Sequence, residues 1–337
     1  MFNHYVALDW AMSNMAIARM TKKSNEVKVI DVPSDIKELK LYLKALNGTI
    51  FLTFEETTTA QWLYTELKES VECILVCDPY RNRLLSEGPK TDRIDAEKLV
   101  RLLKADLLKE VFHCKNDKFI ELRKVVSAYE DMIIAGVKLK NQRSAIFRAT
   151  NLNHKKEETT NNKMDNFILE GIDRQIEYYE LERERYKKEF NSLKKKHSEI
   201  KRVSEIPGIG DVGAVKIVSR VVEAKRFKTK NHFLSYCGLV KLEKISGGKS
   251  YGKKNSRYSR MMKNVFKTAA VVVIDGNNPF NEYYQHLIKE KKYTDFDARN
   301  AVARKVASTV YGVMKNNTKY IPYKRMENNV ADKNADL

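Results

Sequence analysis

Two aspartates stand three positions apart in the segment SEGPKTDRIDAEKLVRLL, which covers residues 86–103. The residues after them have the apolar spacing of a helix, so Asp92 and Asp95 should share one helical face. Taken alone, the pair is explained by helix capping, because a helix opened by Thr91 or Asp92 favours negative charge in its first turn. A catalytic interpretation requires other carboxylates to converge on the same place.

Two further acids lie on predicted strands. Asp9 lies in the carboxyl-terminal half of the strand YVALDWA, although strands disfavour aspartate, and Glu55 ends the strand TIFLTFE. Each acid has an ordinary interpretation as a turn or edge residue. Their order is more informative, since one acid lies on strand 1, one ends strand 4, and two lie on the helix after strand 5.

That order is what a ribonuclease-H-like fold requires. In that fold strand 1 is central, strand 4 lies beside it, and the later helix packs across their ends, so four carboxylates meet at one rim. Like-charge repulsion would destabilise such a cluster unless cations occupied it, and dense oxygen ligands suit Mg²⁺ or Mn²⁺. Two ions about 3.5–4 Å apart can hold the attacking and leaving oxygens of a phosphodiester. The sequence therefore predicts a metal site formed by Asp9, Glu55, Asp92 and Asp95.

One competing fold, that of the actin-like sugar kinases, also carries an aspartate on strand 1. It would need glycine-rich phosphate loops. The first 112 residues contain only Gly48 and Gly88, which disfavours the competing fold.

The segment IPGIGDVGAVKIVSRV, which starts at Ile206, has the hairpin pattern of helix-hairpin-helix modules. Gly208 and Gly210 would let backbone N–H groups at the start of the next helix approach a phosphate closely. A mere tight turn between two helices explains the same pattern. The basic surroundings favour contact with the DNA backbone, which carries no sequence information.

A flexible basic loop is predicted around Ser246, Gly247 and Gly248. The candidate nucleic-acid contacts in and after this loop are Lys244, Lys249, Lys253, Lys254, Arg257 and Arg260. In one interpretation Ser246 only donates a hydrogen bond to a phosphate that the loop grips. In the other, its hydroxyl is a nucleophile, and the cations stabilise charge developing on the attacked phosphate. The residues alone favour the hydrogen-bonding role, because no Ser-His-Asp set that would activate the serine is evident.

The composition indicates a globular protein with one strongly basic region. Hydrophobic residues make up 42% of the chain and charged residues 32%. Residues 1–112 carry 16 Lys and Arg against 17 Asp and Glu, a net charge of −1, whereas residues 201–260 carry 15 against 4, a net charge of +11. This asymmetry predicts a polyanion-binding module whose partner is nucleic acid.

The same sequence disfavours membrane and disulfide-rich classes. No run approaches 18 apolar residues, and the N-terminus lacks the basic-then-apolar layout of a signal peptide, so we expect a cytoplasmic protein. The four cysteines form no C-x-x-C pair and have no histidine at zinc spacing, which favours free thiols over disulfides or zinc.

The elements that must position these residues form three predicted domains and a tail. Residues 1–112 alternate strand and helix signals, which predicts an α/β domain with a mixed sheet. Residues 113–202 repeat apolar residues every three or four positions, which predicts an antiparallel coiled coil or helices that pair with another protomer. Residues 203–325 should form a mostly α-helical domain, and residues 326–337 a polar tail.

Together the motifs resemble those of the DEDD transposases of insertion sequences, a group that includes the Piv-type pilin-gene invertases. The resemblance runs from about residue 4 to residue 315 and rests on the segments ALDWA, FLTFEETTT, CDPYRNRLL, KTDRIDAEKL, IPGIG and GLVKLEKISGGKSYGKKNSRYSRMM, in that order. The combination of KTDRIDA with the serine-glycine loop is highly specific.

The resemblance implies a RuvC-like first domain with Asp9, Glu55, Asp92 and Asp95 as its acidic tetrad. It also implies that Ser246 is the nucleophile, which reverses the preference drawn from bare chemistry. The implied reaction is DNA strand exchange through a covalent phosphoserine, in which the metal-bound tetrad works with the serine of another protomer. A structured guide RNA would pair with donor and target DNA. The implied setting is a dimer or tetramer, joined through the coiled coil, at the nucleoid of a bacterial or archaeal cell.

The chain departs from the family pattern at several positions. Thr58 stands where the family has Gly, Lys241 where it has Pro, and Asn255 and Ser259 where it has Gly and Leu, while Arg260 is kept. Asparagine tolerates a left-handed backbone, so Asn255 is the mildest change. None of these changes removes a proposed catalytic group.

Three functions remain open at this point. The first is an active recombinase that moves its own insertion sequence by serine-mediated strand exchange. The second is a metal-dependent nuclease or Holliday-junction resolvase in which Ser246 only binds phosphate. The third is a non-enzymatic nucleic-acid binder with a relic site, which the presence of all four acids and the serine disfavours.

Overall fold

The computed structural model describes residues 2–82, 91–113, 117–254 and 256–322. The chain divides into two compact units, Met1–Lys115 and Asn116–Leu337. Two parts of the sequence interpretation, the polar tail at residues 326–337 and the position of Asn255, lie outside the described residues.

The first unit alternates strands and helices. Its elements are β1 (His4–Trp10), β2 (Asn14–Thr21), β3 (Lys28–Pro33), α1 (Ile36–Ala45), β4 (Ile50–Glu55), α2 (Ala60–Leu67), β5 (Cys73–Cys77) and α3 (Asp92–Lys104). The prediction of an α/β unit with a mixed sheet is confirmed. The sequence also predicts that Ser34 opens α1, and this detail was wrong. The Asp35 carboxylate caps the helix by accepting from two backbone N–H groups, while Ser34 Oγ donates to the Ala11 carbonyl oxygen at 2.8 Å.

The five strands form one sheet in the order β3-β2-β1-β4-β5. β1 is central, antiparallel to β2 and parallel to β4, and β4 is parallel to β5. Alternate side chains divide between two cores, because Val6 and Leu8 pack with α1 and α2, whereas Tyr5 and Ala7 pack with α3. Burial on both faces fixes the register, since a slip of one residue would send each side chain to the wrong core.

The second unit is largely helical, as predicted. Its elements are α4 (Asp117–Ala149), α5 (Lys163–Lys196), α6 (Ser198–Ser204), α7 (Gly210–Val221), a 3₁₀ turn (Ala224–Arg226), α8 (Lys230–Tyr236), β6 (Leu242–Ser246), β7 (Lys249–Lys254), α9 (Arg260–Ile274), α10 (Pro279–Lys289) and α11 (Asp295–Asn316). Over the described ranges, no helix combines the length and apolar character that crossing a bilayer requires.

Helices α4 and α5 pack side by side in opposite directions. The predicted repeat supplies the buried residues of α5, which are Leu169, Ile172, Tyr179 and Phe190. Near one end of the pair the Tyr129 and Phe190 rings meet edge to face with centroids 5.0 Å apart, and near the other Arg143 Nε donates to Asp173 Oδ1 at 2.7 Å. The predicted apolar face is therefore buried within one chain, and the supercoiled packing of a coiled coil stays a prediction.

Gly136 of α4 lies directly beneath a side chain of α5. A Cβ atom at this position would lie 2.3 Å from the Tyr179 ring of α5, closer than real Cβ contacts. Gly171 of α5 differs, because no described atom beyond its own helix backbone and chain neighbours lies within 4 Å of its Cβ position. Glycine is therefore needed at residue 136 for packing, whereas residue 171 has room for a side chain.

Gly136→Ala should lower the free energy of unfolding by about 1–3 kcal/mol, because the added methyl group forces the Tyr179 ring out of place. Gly171→Ala makes the same change in a helix interior with open space. It should raise the free energy of unfolding by about 0.5–1 kcal/mol, because glycine is unfavourable within helices. Urea denaturation followed by circular dichroism measures both variants. Equal effects of the two substitutions would contradict the close contact between α4 and α5.

Candidate functional site

Asp9 and Glu55 stand at the carboxyl ends of adjacent parallel strands. Leu8 of β1 pairs with Phe54 of β4, so the next residue along each strand is one of the two acids. Because Leu8 and Phe54 pack with α1 and α2, alternation turns Asp9 and Glu55 to the face that α3 covers. The strand pairing alone therefore brings two of the predicted acids together.

The other two acids lie in the first turn of α3. Thr91 caps this helix by accepting a hydrogen bond from a backbone N–H at 3.3 Å, so Asp92 and Asp95 follow directly. The partial positive charge of a helix N-terminus stabilises carboxylates at these positions. Helix capping therefore explains why Asp92 and Asp95 are acidic. Whether they also join Asp9 and Glu55 depends on where the first turn of α3 lies on the sheet.

Two basic side chains set the direction of α3. Lys104, in its last turn, donates to the carbonyl oxygen of Thr21 at 3.0 Å, beside the amino end of β1. Arg93, in its first turn, donates to Asp31 Oδ2 of β3 at 2.5 Å. Asp31 belongs to the row of paired residues that crosses the sheet through Asp9. α3 is thus antiparallel to β1, and its first turn lies over the row that contains Asp9.

Sequence reasoning did not find the role of Arg93. It lies inside the quoted KTDRIDA segment, but its partner Asp31 is 62 residues away and on another strand. No periodic or motif signal connects the two, because only the sheet register brings Asp31 beneath the first turn of α3.

The charges of all four acids meet at Asp9. The pKa of Asp9 is raised from 3.8 to about 6, first by burial and then by the negative charges of Asp92, Glu55 and Asp95. Glu55 acts in the same way on the neighbouring thiol, since the pKa of Cys77 rises to about 12, first through burial and then through this carboxylate. Asp9 and Asp95 are half-buried, whereas Glu55 and Asp92 are exposed.

The four acids do not form a closed ligand shell. Within the part of the chain that the structure describes, no three carboxylate, imidazole or thiol groups lie close enough together to hold a metal ion. The donor set still fits a hard divalent cation, because it consists of carboxylates alone and one of them is held half-buried against the repulsion of three others. A cation among them would remove that repulsion.

The two glycines of the predicted helix-hairpin-helix motif have different surroundings. Both have a positive φ, +81° at Gly208 and +61° at Gly210, which favours glycine. A Cβ atom at Gly208 would lie 2.7 Å from the Ala269 carbonyl oxygen of α9, so this glycine allows close helix packing. Gly210 opens α7 and is exposed, which makes it the better placed of the two for the predicted phosphate contact.

The predicted serine loop is a β-hairpin, which corrects the sequence interpretation. β6 and β7 pair antiparallel, with Ser246 opposite Lys249 and the two glycines between them. Gly247 and Gly248 have φ values of +54° and +75°, as a two-residue type I′ turn requires. The signal was present in the sequence, because a Gly-Gly pair between two short runs is typical of such hairpins.

Ser246 lies at the tip of the hairpin. Every residue of β6 and β7 is exposed, and the side chains of directly opposite residues share a face, which brings Lys249 beside the serine. In the described part of the hairpin, Ser250 Oγ donates to Glu243 Oε1 at 2.8 Å, and Ser246 takes no part in this bond. The tip therefore presents a hydroxyl and an ammonium group outward, while the Glu243 carboxylate of the same hairpin accepts a hydrogen bond from Ser250.

The predicted basic contacts all lie at the surface. The exposed cations are Lys244, Lys249, Lys253, Lys254, Arg257 and Arg260. Apolar residues of the hairpin are exposed beside them, since Ile245 and Tyr251 keep 66% and 68% of their surface accessible. A two-stranded hairpin is marginally stable alone, so such a surface favours a bound partner.

The segment that carries the hairpin also identifies the chain. Residues 200–285 match the family model described as "Transposase IS116/IS110/IS902 family". Residues 200–285, about a quarter of the chain, therefore carry a domain of this transposase family. The matched residues include Ser246 and exclude the four acids, and a comparison with curated proteins gave no match. This match indicates a transposase, a DNA-binding enzyme that catalyses strand transfer, and disfavours the non-enzymatic binder.

Asp9→Asn should stabilise the metal-free transposase at neutral pH. Folded Asp9, with its raised pKa of about 6, holds its proton more tightly than the unfolded chain, so the free energy of unfolding falls between about pH 4 and pH 6 and stays lower above. In EDTA, Asp9→Asn should raise the free energy of unfolding by about 1–2 kcal/mol at pH 7.5 and by much less at pH 4.5. Urea denaturation at both pH values measures the difference.

The matched control for this experiment is Glu69→Gln, which neutralises an exposed carboxylate of the same unit just after α2. It should change the free energy of unfolding by less than about 0.5 kcal/mol at either pH. A gain for Asp9→Asn that does not depend on pH would contradict the repulsion among the four acids.

Proposed function

We propose that this transposase mobilises its insertion sequence by Mg²⁺-dependent, serine-mediated DNA strand exchange, guided by a structured RNA. The observation that carries the proposal is the convergence of three carboxylate charges on the half-buried Asp9. A soluble domain gains no stability from such an arrangement, whereas a phosphoryl-transfer site uses it to bind cations.

The topology of the first unit supports a ribonuclease-H-like, RuvC-like fold. The central β1 carries Asp9, the adjacent parallel β4 carries Glu55, and the first turn of α3 lies over the same row with Asp92 and Asp95. These four side chains would hold Mg²⁺ or Mn²⁺, which supplies Lewis-acid stabilisation of charge on phosphodiester oxygens. The ion pair of Arg93 with Asp31 would help to hold the acids of α3 close to those of the strands.

Ser246 supplies the nucleophile in this proposal. Its Oγ forms a bond to phosphorus, the bond from phosphorus to one DNA oxygen breaks, and the serine proton passes to the departing oxygen through a base outside the hairpin. Lys244 and Lys249 are placed to stabilise the negative charge on the phosphate. Reversal of the same step with another DNA end joins the exchanged strand and frees the serine, so the number of phosphodiester bonds is conserved.

We also propose that the acids of one protomer act with the serine of another, as the resemblance to DEDD transposases implies. The exposed apolar side chains of α5 support assembly through the predicted coiled coil, because Phe167, Tyr178 and Leu181 keep 69%, 67% and 65% of their surface accessible. The net charge of +11 over residues 201–260 supports two polyanionic partners, DNA and a guide RNA. We expect the assembly to work in the cytoplasm, at the nucleoid.

One observation favours a second function. The Glu243 carboxylate of the hairpin bonds to Ser250, which favours a role of Ser246 as a phosphate ligand only. The chain would then be a metal-dependent nuclease or junction resolvase in which water attacks the phosphate. Both functions require the acids, and they differ in whether protein becomes covalently joined to DNA.

A trapping assay separates the two functions. Purified transposase is mixed with Mg²⁺, element-end DNA and the flanking transcript, quenched in denaturant, and any DNA-linked peptide is mapped by mass spectrometry. We expect an adduct at Ser246 that Ser246→Ala abolishes, with DNA affinity changed by less than about twofold, because a lost hydroxyl removes one neutral contact.

Ser250→Ala is the matched control, since it removes a hydroxyl from the same hairpin while Ser246 stays in place. This variant should keep the adduct. Cleaved DNA without any adduct, still dependent on Asp92 and Asp95, would establish the nuclease and remove the nucleophilic role of the serine.

A further inference from the structure

Helix α9 carries three cations on one face. Arg260, Lys263 and Lys267 are spaced by three and four residues, which places them one above another along the helix. The adjoining face carries buried residues such as Met262 and Phe266. Only Arg260 of the three cations belongs to the nucleic-acid contacts that the sequence predicted, so Lys263 and Lys267 extend that set into the helical core of the second unit.

A fourth cation, Arg304, approaches this face from α11, which packs against α9. Lys263, Lys267 and Arg304 are all half-buried. Burial lowers the pKa of Lys267, and the positive charges of Lys263 and Arg304 lower it further. The three side chains are thus close enough to repel one another in a place where water screens them incompletely.

Other half-buried lysines of the second unit have carboxylate partners. Lys118 pairs with Glu199 at 3.0 Å, and Lys194 pairs with Asp211 at 2.7 Å. Over residues 117–254 and 256–322, by contrast, no carboxylate pairs with the three clustered cations, and no negative charge offsets the shift at Lys267. The fold has therefore kept a repulsive group of cations without an internal counter-ion.

Aromatic rings lie beside the cluster. Lys263 Nζ lies 4.6 Å from the centroid of the Tyr258 ring, and Lys267 Nζ lies 5.5 Å from that of Phe296. Phe296 begins α11 and keeps 72% of its surface accessible, so part of its ring is free to contact another flat group. Cations next to an exposed aromatic ring are typical of proteins that bind unpaired nucleotides.

We propose that Lys263, Lys267 and Arg304 form a phosphate-binding site for an unpaired stretch of nucleic acid, with Phe296 as the ring on which a base stacks. A bound phosphate supplies the counter-ion that the fold lacks, and so offsets the mutual repulsion of the cations. The bases of a duplex are already stacked on one another, which is why the exposed ring favours an unpaired strand. DNA and RNA share this chemistry.

The site differs from the hairpin surface in its rigidity. Its cations project from two packed helices, so little order has to be gained on binding, whereas every residue of β6 and β7 is exposed. The inference extends the proposed function and depends neither on the four acids nor on Ser246. It is therefore tested by binding alone, in EDTA, where no strand is cut.

The experiment measures fluorescence anisotropy of the full chain with labelled single-stranded DNA, single-stranded RNA and duplex DNA, over a range of salt concentrations. Lys267→Met and Arg304→Gln should each weaken single-strand binding by about three- to tenfold, and each should reduce the slope of log affinity against log salt by about 0.7. Phe296→Ala should weaken single-strand binding while leaving duplex binding unchanged. The single strand that loses more affinity identifies DNA or RNA as the ligand.

Lys315→Met is the matched control, because it removes an exposed lysine from the far end of the same helix α11. It should leave single-strand affinity within about twofold of the original. Unchanged affinity in Lys267→Met and Arg304→Gln, or an equal loss in Lys315→Met, would overturn the site. Equal losses for single strands and duplex would overturn its assignment to unpaired nucleic acid.

Thermal denaturation distinguishes the loss of a ligand contact from a loss of folding stability. Because Lys267 is repelled by its neighbours, Lys267→Met should raise Tm by about 1–3 °C in the absence of nucleic acid. A variant that is more stable and binds more weakly has lost a ligand contact, whereas a merely structural lysine would lose stability. A lower Tm for Lys267→Met would contradict the repulsion on which the proposal depends.

Discussion

The arrangement of the acids depends on the register between β1 and β4. Pairing of Leu8 with Phe54 places Asp9 and Glu55 side by side at the strand ends, and the two cores on opposite faces of the sheet prevent a slip of one residue. The ion pair of Arg93 with Asp31 then holds the first turn of α3 over the same row. Register, alternation, the apolar packing of α3 on the sheet and this ion pair together bring the four acids within each other's electrostatic reach.

Both units gather groups of like charge. In the first unit burial and then three carboxylates raise the pKa of Asp9, and in the second burial and then two cations lower that of Lys267. Such groups reduce the stability of the free protein, and ligands of opposite charge remove the repulsion. A transposase that brings metal ions and nucleic acid together is expected to be less stable alone than when its ligands are bound.

The glycines show how one residue type serves three physical purposes. Gly136 lets the Tyr179 ring pack directly on a helix backbone, and Gly208 lets a hairpin approach the Ala269 carbonyl oxygen. Gly247 and Gly248 instead supply the left-handed backbone of a type I′ turn. The sequence presents Gly208, Gly247 and Gly248 as similar turn or loop signals, whereas Gly136 lies within the helix α4. What surrounds each glycine decides its purpose.

The sequence by itself determined the strand order of the first unit, the four acids, the apolar face of α5 and the uneven distribution of charge. These follow from patterns of residues that are near one another in the chain. Only the tertiary structure revealed the partner of Arg93, the packing of Gly208 on α9 and the approach of Arg304 to Lys267. Each of these depends on contacts between distant segments, which local periodicity does not encode, because a side chain's neighbours are decided by how whole elements pack.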